Sequence, residues 1–173
     1  MGSKILVIDD EESIRYTFES FLLDEGYEVL TARDYQEALS AIDTTELDLI
    51  FADILLEGKT GIDILREIKE RNLRCPVVMI TGDPNINFAS EALRLGAFDY
   101  IPKPIKQDTL LRITKIALKH KALVDEKERY RSNLEAIFSS VKDAIIAVDK
   151  ELLMIEINDA ARSICNLSRD SIG

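Results

Sequence analysis

The 173-residue sequence contains no tryptophan, one histidine (His120) and two cysteines, Cys75 and Cys165, which stand far apart with no CxxC spacing. These shortages exclude a zinc site built on Cys and His and a disulfide framework, and leave the thiols as buried or idle groups. Basic residues are scarce too: 22 Lys and Arg against 32 Asp and Glu give a formal charge of -10. That balance disfavours the phosphate contacts on which nucleic-acid binding rests, so any DNA-binding part is expected outside this sequence. No apolar run reaches the roughly 18 residues of a membrane span, and the N-terminus lacks a charged-then-apolar signal pattern. A cytoplasmic protein with no membrane contact is expected. No GxGxxG follows the first apolar run, which removes a dinucleotide oxidoreductase.

What is abundant is apolar sequence, 46% of the chain, cut into short runs. Lys4 to Ile8 (KILVI) has the profile of a strand covered on both faces, and Ile14, Phe18, Phe21 and Leu22 follow at helical spacing before a stop at Gly26. The pattern then repeats. A strand near Tyr27 to Ala32 precedes a helix opened by Asp34, with Glu37 placed for a capping box. Asp48 to Ala52 reads as a third strand, followed by a helix with Ile62, Leu65 and Ile68 inward. Pro76 to Ile80 reads as a fourth strand, and Ala89, Ala92 and Leu93 mark the next helix. Phe98 to Ile101 is the fifth strand, closed by Pro102-Lys103-Pro104. Five such repeats predict a parallel sheet with helices on both faces.

In a sheet of this kind the residues just past the strands converge on one edge. Strand one brings Asp9 and Asp10, strand three Asp53, strand four Thr81 and strand five Lys103. Singly, Asp10 would serve as a helix cap, Thr81 as a turn former and Lys103 as a solvated cation. Together they form an ordered set. Three neighbouring carboxylates repel one another and call for a cation, and all-oxygen ligation suits Mg²⁺ or Mn²⁺.

These residues resemble the response-regulator receiver domain of two-component signalling, over about Lys4 to the helix after Pro104. The resemblance implies an α/β, flavodoxin-like, doubly wound sheet of order 2-1-3-4-5. It implies Asp53 as phosphoacceptor and Asp9, Asp10, Asp53 and the backbone carbonyl of Leu55 as metal ligands. Thr81 would bond a phosphoryl oxygen, Lys103 would pair with the phosphate, Tyr100 would act with Thr81 as a switch, and the Lys103-Pro104 bond would be cis. Partners would be a histidine kinase or a phosphotransfer protein. Activity would be limited to Mg-dependent self-phosphorylation from phosphodonors and autodephosphorylation. Two departures stand out. Glu57 occupies a position where many receivers carry proline, leaving the loop less rigid or more charged, and Leu55 would shield the phosphoryl group from water. An aspartyl-phosphate hydrolase does not fit, because Asp9-Asp10-Glu11 lacks the DxDxT pattern. A pseudo-receiver that only binds a partner is opposed by the intact acid set. Membership of a hybrid sensor histidine kinase remains an alternative.

Beyond the receiver, placed at 1–120, Ile113, Ile116, His120, Leu123, Lys127, Tyr130, Leu134, Ile137 and Val141 are spaced alternately by three and four. This is the seam of a coiled coil, predicting a helix over 106–141 that runs on for roughly 40 Å past the domain and pairs with a second copy through 113–141. The plainer alternative is an amphipathic helix lying on its own domain. His120 lacks the acidic neighbour and later proline of a kinase phosphohistidine motif. Residues 131–173 resemble the opening of an α+β PAS sensory domain: Ala144 to Asp149 and Leu152 to Ile157 as strands, then Asn158 and a short helix, with the Ser168 to Gly173 segment in its usual place. The remaining residues are too few for a whole PAS domain, so a half sheet is expected that folds poorly alone or borrows partners from another chain.

Overall fold

The computed structural model describes residues 2–56, 58–82 and 91–165. The apolar runs form five strands, β1 (Lys4–Ile8), β2 (Glu28–Ala32), β3 (Leu49–Asp53), β4 (Val77–Thr81) and β5 (Asp99–Pro102). All pair in parallel in the order β2-β1-β3-β4-β5, as expected for a flavodoxin-like sheet. The helices are α1 (Glu12–Asp24), α2 (Tyr35–Thr44), α3 (Gly61–Glu70), a helical turn over 91–94 (α4), and α5 (Gln107–Ser140).

The central strands are apolar on both faces because each face is covered by helices. Leu6, Ile8, Ile50, Ala52, Val77 and Met79 join Ala38 of α2 and Ile62, Ile64, Leu65 and Ile68 of α3 in one core layer. The alternate residues Ile5, Val7, Leu49, Phe51, Val78 and Ile80 join Phe18 and Leu22 of α1 and Leu110, Ile113 and Ala117 of α5 in the other. A period of two is thus preserved inside runs that look uniformly apolar.

Local chemistry explains the element ends. Asp48 does not open β3 as expected. It exchanges bonds with the Lys4 backbone instead, its carboxylate accepting the Lys4 N–H at 2.8 Å, so the strand begins one residue later. β4 shifts likewise, and Asp53 and Thr81 become the last residues of their strands rather than residues beyond them. Asp34 caps α2 by accepting the Glu37 N–H at 2.9 Å, but the Glu37 carboxylate passes the cap and takes the Arg33 N–H at 3.1 Å. The complete capping box lies at α3, between Thr60 and Asp63, where none was expected. The Lys103-Pro104 bond is cis, as the resemblance implied.

The chain divides into two compact units between Val124 and Asp125. The first holds the sheet. In the second, the antiparallel hairpin of β6 (Ile146–Val148) and β7 (Met154–Ile157) precedes α6 (Asp159–Cys165), the two strands and short helix expected there. The Ser168 to Gly173 segment, Glu57 and Ala89 lie outside the described residues. Asp149 shapes the hairpin turn, its Oδ1 accepting the N–H groups of Glu151 and Leu153, both at 2.9 Å. Asn158, almost wholly buried, organises the rest. Its Oδ1 accepts from the N–H groups of Ile145 (2.9 Å) and Ala161 (3.0 Å), and its Nδ2 donates to the carbonyls of Val141 (3.1 Å) and Asp143 (2.9 Å). All of its amide capacity toward the backbone is used.

The α5 stripe is not uniform. Ile113 is buried in the first unit's core, and the His120 ring centroid lies 5.3 Å from that of Phe98, so these two positions face their own domain. Ile116, Leu123, Tyr130, Leu134 and Ile137 are exposed. Among the described residues, no helix is long and apolar enough to cross a membrane.

Replacing Asn158 with alanine removes the partner of four backbone groups, of which the buried Ala161 N–H alone costs about 1–3 kcal/mol. Hydrogen exchange at the amides of Ile145 and Ala161 is expected to accelerate in Asn158→Ala while the amides of β3 stay unchanged. Unaltered exchange at both sites would remove Asn158 from this role.

Candidate functional site

The strand order reverses direction between β1 and β3, which leaves a crevice at their carboxyl ends, where open sheets of this type place ligands. β1 runs directly into Asp9 and Asp10 there, and β3 delivers Asp53. Asp9 is fully buried, Asp53 nearly so, and Asp10 is exposed. One carboxylate oxygen from each of the three lies within 4.8 Å of the others. Lys103 follows β5, and its N–H donates to the Thr81 carbonyl at 2.7 Å, which carries its side chain across the strand ends.

The ammonium of Lys103 lies 2.6 Å from Asp53 Oδ2, 2.8 Å from Asp9 Oδ2 and 3.2 Å from Glu11 Oε1. Burial alone would lower the Lys103 pKa, yet the bonds to Asp53 and Asp9 and their charges hold it well above the ordinary lysine value. For Asp9, burial is the largest influence and raises its pKa; the bonds from Lys103 and the Glu11 N–H oppose this without cancelling it. One ammonium thus serves a group of carboxylates that it cannot neutralise.

The structure therefore brings together Asp9, Asp10, Asp53 and Lys103 as expected. Thr81 is fully buried at the end of β4, in register with Pro102. Tyr100 is partly buried and packs against the core layer that contains α2 and α3. The Leu55 N–H donates to Asp53 Oδ1 at 3.2 Å, and Leu55 is exposed.

Three contributors escaped the sequence reading. Arg15, one turn into α1, donates through Nη1 to the carbonyls of Asp9 (2.7 Å) and Asp10 (2.9 Å) and so fixes the acidic loop from behind. Glu11 supplies the third carboxylate on Lys103. Gly61 lies against the backbone of Asp53: a Cβ there would stand 2.2 Å from the Asp53 carbonyl oxygen. The Gly61 N–H also donates to the Ile54 carbonyl at 3.1 Å, which closes the loop after β3. A glycine followed by a helix is an ordinary sight in sequence, and the backbone it nearly touches is eight residues away, so only an alignment of related chains would have marked it.

The donor set fits a hard divalent cation. It is all oxygen, it clusters within the reach of one ion, and a positive charge beside buried Asp9 would offset the burial that disfavours its ionised form. An Asp53 carboxylate oxygen belongs to the same cluster, and the Lys103 ammonium 2.6 Å from Oδ2 sets a fixed positive charge beside it.

An acid cluster and a lysine stand together at the switch point of a parallel sheet, and comparison with known proteins gives the family. The family model described as "Response regulator receiver domain" matches residues 5–115, and the chain belongs to that family. The nitrogen assimilation regulatory protein NtrX of Azorhizobium caulinodans is 43% identical over 120 residues, covering 68% of this chain and 26% of that protein. The DNA-binding transcriptional regulator NtrC of Klebsiella pneumoniae is 31% identical over 166 residues, covering 96% of this chain and 33% of the relative. The transcriptional regulatory protein DltR of Streptococcus agalactiae is 31% identical over 163 residues, covering 89% of this chain and 71% of its own length. Among solved structures, a CheY-like receiver domain protein from Methanospirillum hungatei superposes with a TM-score of 0.68 at 30% identity, covering 74% of this chain and 99% of that one. NtrX from Brucella abortus in complex with ATP gives 0.69 at 43% identity, covering 74% and 29%. The chain thus spans about a quarter of NtrX and a third of NtrC.

Substituting Gly61 forces either α3 or the end of β3 to move. Gly61→Ala is expected to destabilise the fold by about 1–3 kcal/mol, as overpacking does, read from the urea midpoint. A midpoint equal to that of the unsubstituted chain would show that the close approach is not needed.

Proposed function

We propose that this chain is a phosphorylatable signalling module in which Asp53 accepts a phosphoryl group from a phosphohistidine on a histidine kinase or a phosphotransfer protein. The observation that carries this is the part-buried Lys103–Asp53 pair at 2.6 Å, set beside Asp9 and Asp10 where the strand order reverses. In the transfer, an Asp53 carboxylate oxygen forms a bond to phosphorus as the bond from phosphorus to the histidine nitrogen breaks, its electron pair leaving with the nitrogen. The product is an acyl phosphate.

Asp9, Asp10, Asp53 and the Leu55 backbone carbonyl would hold Mg²⁺, with Mn²⁺ as a substitute. When bound, the ion supplies positive charge to the oxygens of the transferred group. Lys103 holds Asp53 in place beforehand and then faces the phosphoryl oxygens. Thr81 bonds one of those oxygens, Tyr100 follows it inward, and together they bias the surface of α4, β5 and α5 between two states. Leu55 covers the acyl phosphate and slows its attack by water.

Downstream, the exposed stripe Leu123, Tyr130, Leu134 and Ile137 pairs α5 with a second copy of the chain. The hairpin and α6 form the opening of a PAS domain, organised by Asn158 and Asp149. The output is transcriptional, in keeping with the names of NtrC and DltR, and its DNA contacts lie outside this acidic segment.

Incubation with acetyl phosphate and Mg²⁺ is expected to add one phosphoryl group, located by mass spectrometry on Asp53 and absent from Asp53→Asn. Labelling that survives the substitution would overturn the assignment. In the same assay, after removal of the phosphodonor, Leu55→Asn is expected to lose phosphate at least about twofold faster, as a water-excluding group is lost. An equal or slower loss defeats the shielding role. Light scattering is expected to give the molar mass of a dimer for the unsubstituted chain and of a monomer for Leu134→Glu. A monomer in both cases would dismiss the helix pairing.

A further inference from the structure

We propose that Glu11 is a positioning residue that occupies Lys103 in the resting pocket and releases it to the phosphoryl group. The inference rests on the reading of Asp53 as phosphoacceptor. Nothing in that reading requires a third acid on the lysine, and the sequence reading assigned Glu11 no role.

Glu11 is the N-cap residue of α1, where a side chain ordinarily accepts an N–H of the first helical turn. Its carboxylate makes no such bond. It reaches instead across the strand ends to Lys103 Nζ at 3.2 Å, 92 residues away in sequence. The backbone assists: the Glu11 N–H is held by Asp9 Oδ1 at 3.0 Å, which orients the residue toward the pocket. A helix cap is forgone and a long-range ion pair stands in its place.

An ammonium carries three protons. Lys103 donates to Asp53 Oδ2 at 2.6 Å and to Glu11 Oε1 at 3.2 Å, and buried Asp9 Oδ2 stands 2.8 Å away as a third anionic neighbour. A phosphoryl oxygen arriving there competes with them for one ammonium. When an Asp53 oxygen bonds to phosphorus, and the bond from phosphorus to the leaving oxygen breaks with its electron pair, new anionic oxygens arrive beside this ammonium. One existing partner must give way. The side chains of Asp53 and Asp9 are 7% and 0% exposed, whereas that of Glu11 is 59% exposed. A buried carboxylate that loses its cation is left uncompensated, while an exposed one is taken up by water. Glu11 is therefore the partner that leaves, and the exchange of Glu11 for the phosphoryl group is a step that opposes phosphorylation.

The test follows the rate at which the full chain gains a phosphoryl group on Asp53 from acetyl phosphate at saturating Mg²⁺, acetate being the leaving group. Glu11→Gln is expected to be labelled about two- to fivefold faster than the unsubstituted chain, the range an exposed ion pair spans. Glu11→Asp keeps the charge but loses one methylene of reach, and it is expected to be faster as well. Glu12→Gln, which removes the same charge from the next position, is expected to match the unsubstituted chain. In a Lys103→Met background, Glu11→Gln is expected to change nothing further. Equal rates for Glu11→Gln and Glu12→Gln, an unaltered rate for Glu11→Asp, or a gain that persists without Lys103 would each overturn the role of Glu11 and leave Asp53 as phosphoacceptor. Absence of labelling in the unsubstituted chain would instead overturn the reading on which the inference rests.

Discussion

A partly buried ammonium held between two buried carboxylates joins the ends of the neighbouring strands β1 and β3 to the segment after β5, which lies on the far side of β4 in the sheet. Such a pair is weak evidence of net stability, because taking its charges out of water costs about what their attraction returns. Its effect is on geometry. With Lys103 bound to Asp53 and Asp9, the strand ends have a defined separation, and the crevice between them has a fixed charge pattern with one cation and an excess of acid. The suitability of a divalent ion follows from that excess, and burial adds to it by raising the pKa of Asp9.

Much of this architecture can be read in the residues. The apolar runs of β1, β3 and β4 are interrupted only at their carboxyl ends, and there the interrupting residues are Asp9, Asp53 and Thr81, so the strands and the site announce each other. The order of the strands came from the likeness to a family rather than from the runs, since periodicity does not say which strands are neighbours. The start of β3 slipped by a residue because the exchange of bonds between Asp48 and Lys4 belongs to tertiary structure.

The residues that were missed share a reason. Glu11 stands in the acidic run Asp9-Asp10-Glu11-Glu12, where composition cannot distinguish a ligand from a solvated neighbour. Arg15 works through backbone carbonyls, which carry no sequence signal. Gly61 is needed because of an oxygen on another element. The α5 stripe illustrates the converse, a pattern more regular in sequence than in structure: spacing treats Ile113 and Leu134 alike, yet one is buried in the sheet's core and the other faces solvent.

The contact between Gly61 and the Asp53 carbonyl also bears on how this fold tolerates change in length. The loop after β3 is closed at its base by the bridge between Leu55 and Thr60 and by the Gly61 N–H on Ile54, and α3 begins at once on a complete cap. Its two ends are therefore anchored independently of what lies between them. A change of length between those two anchors is therefore taken up within the loop, without displacing the Asp53 carboxylate at the end of β3.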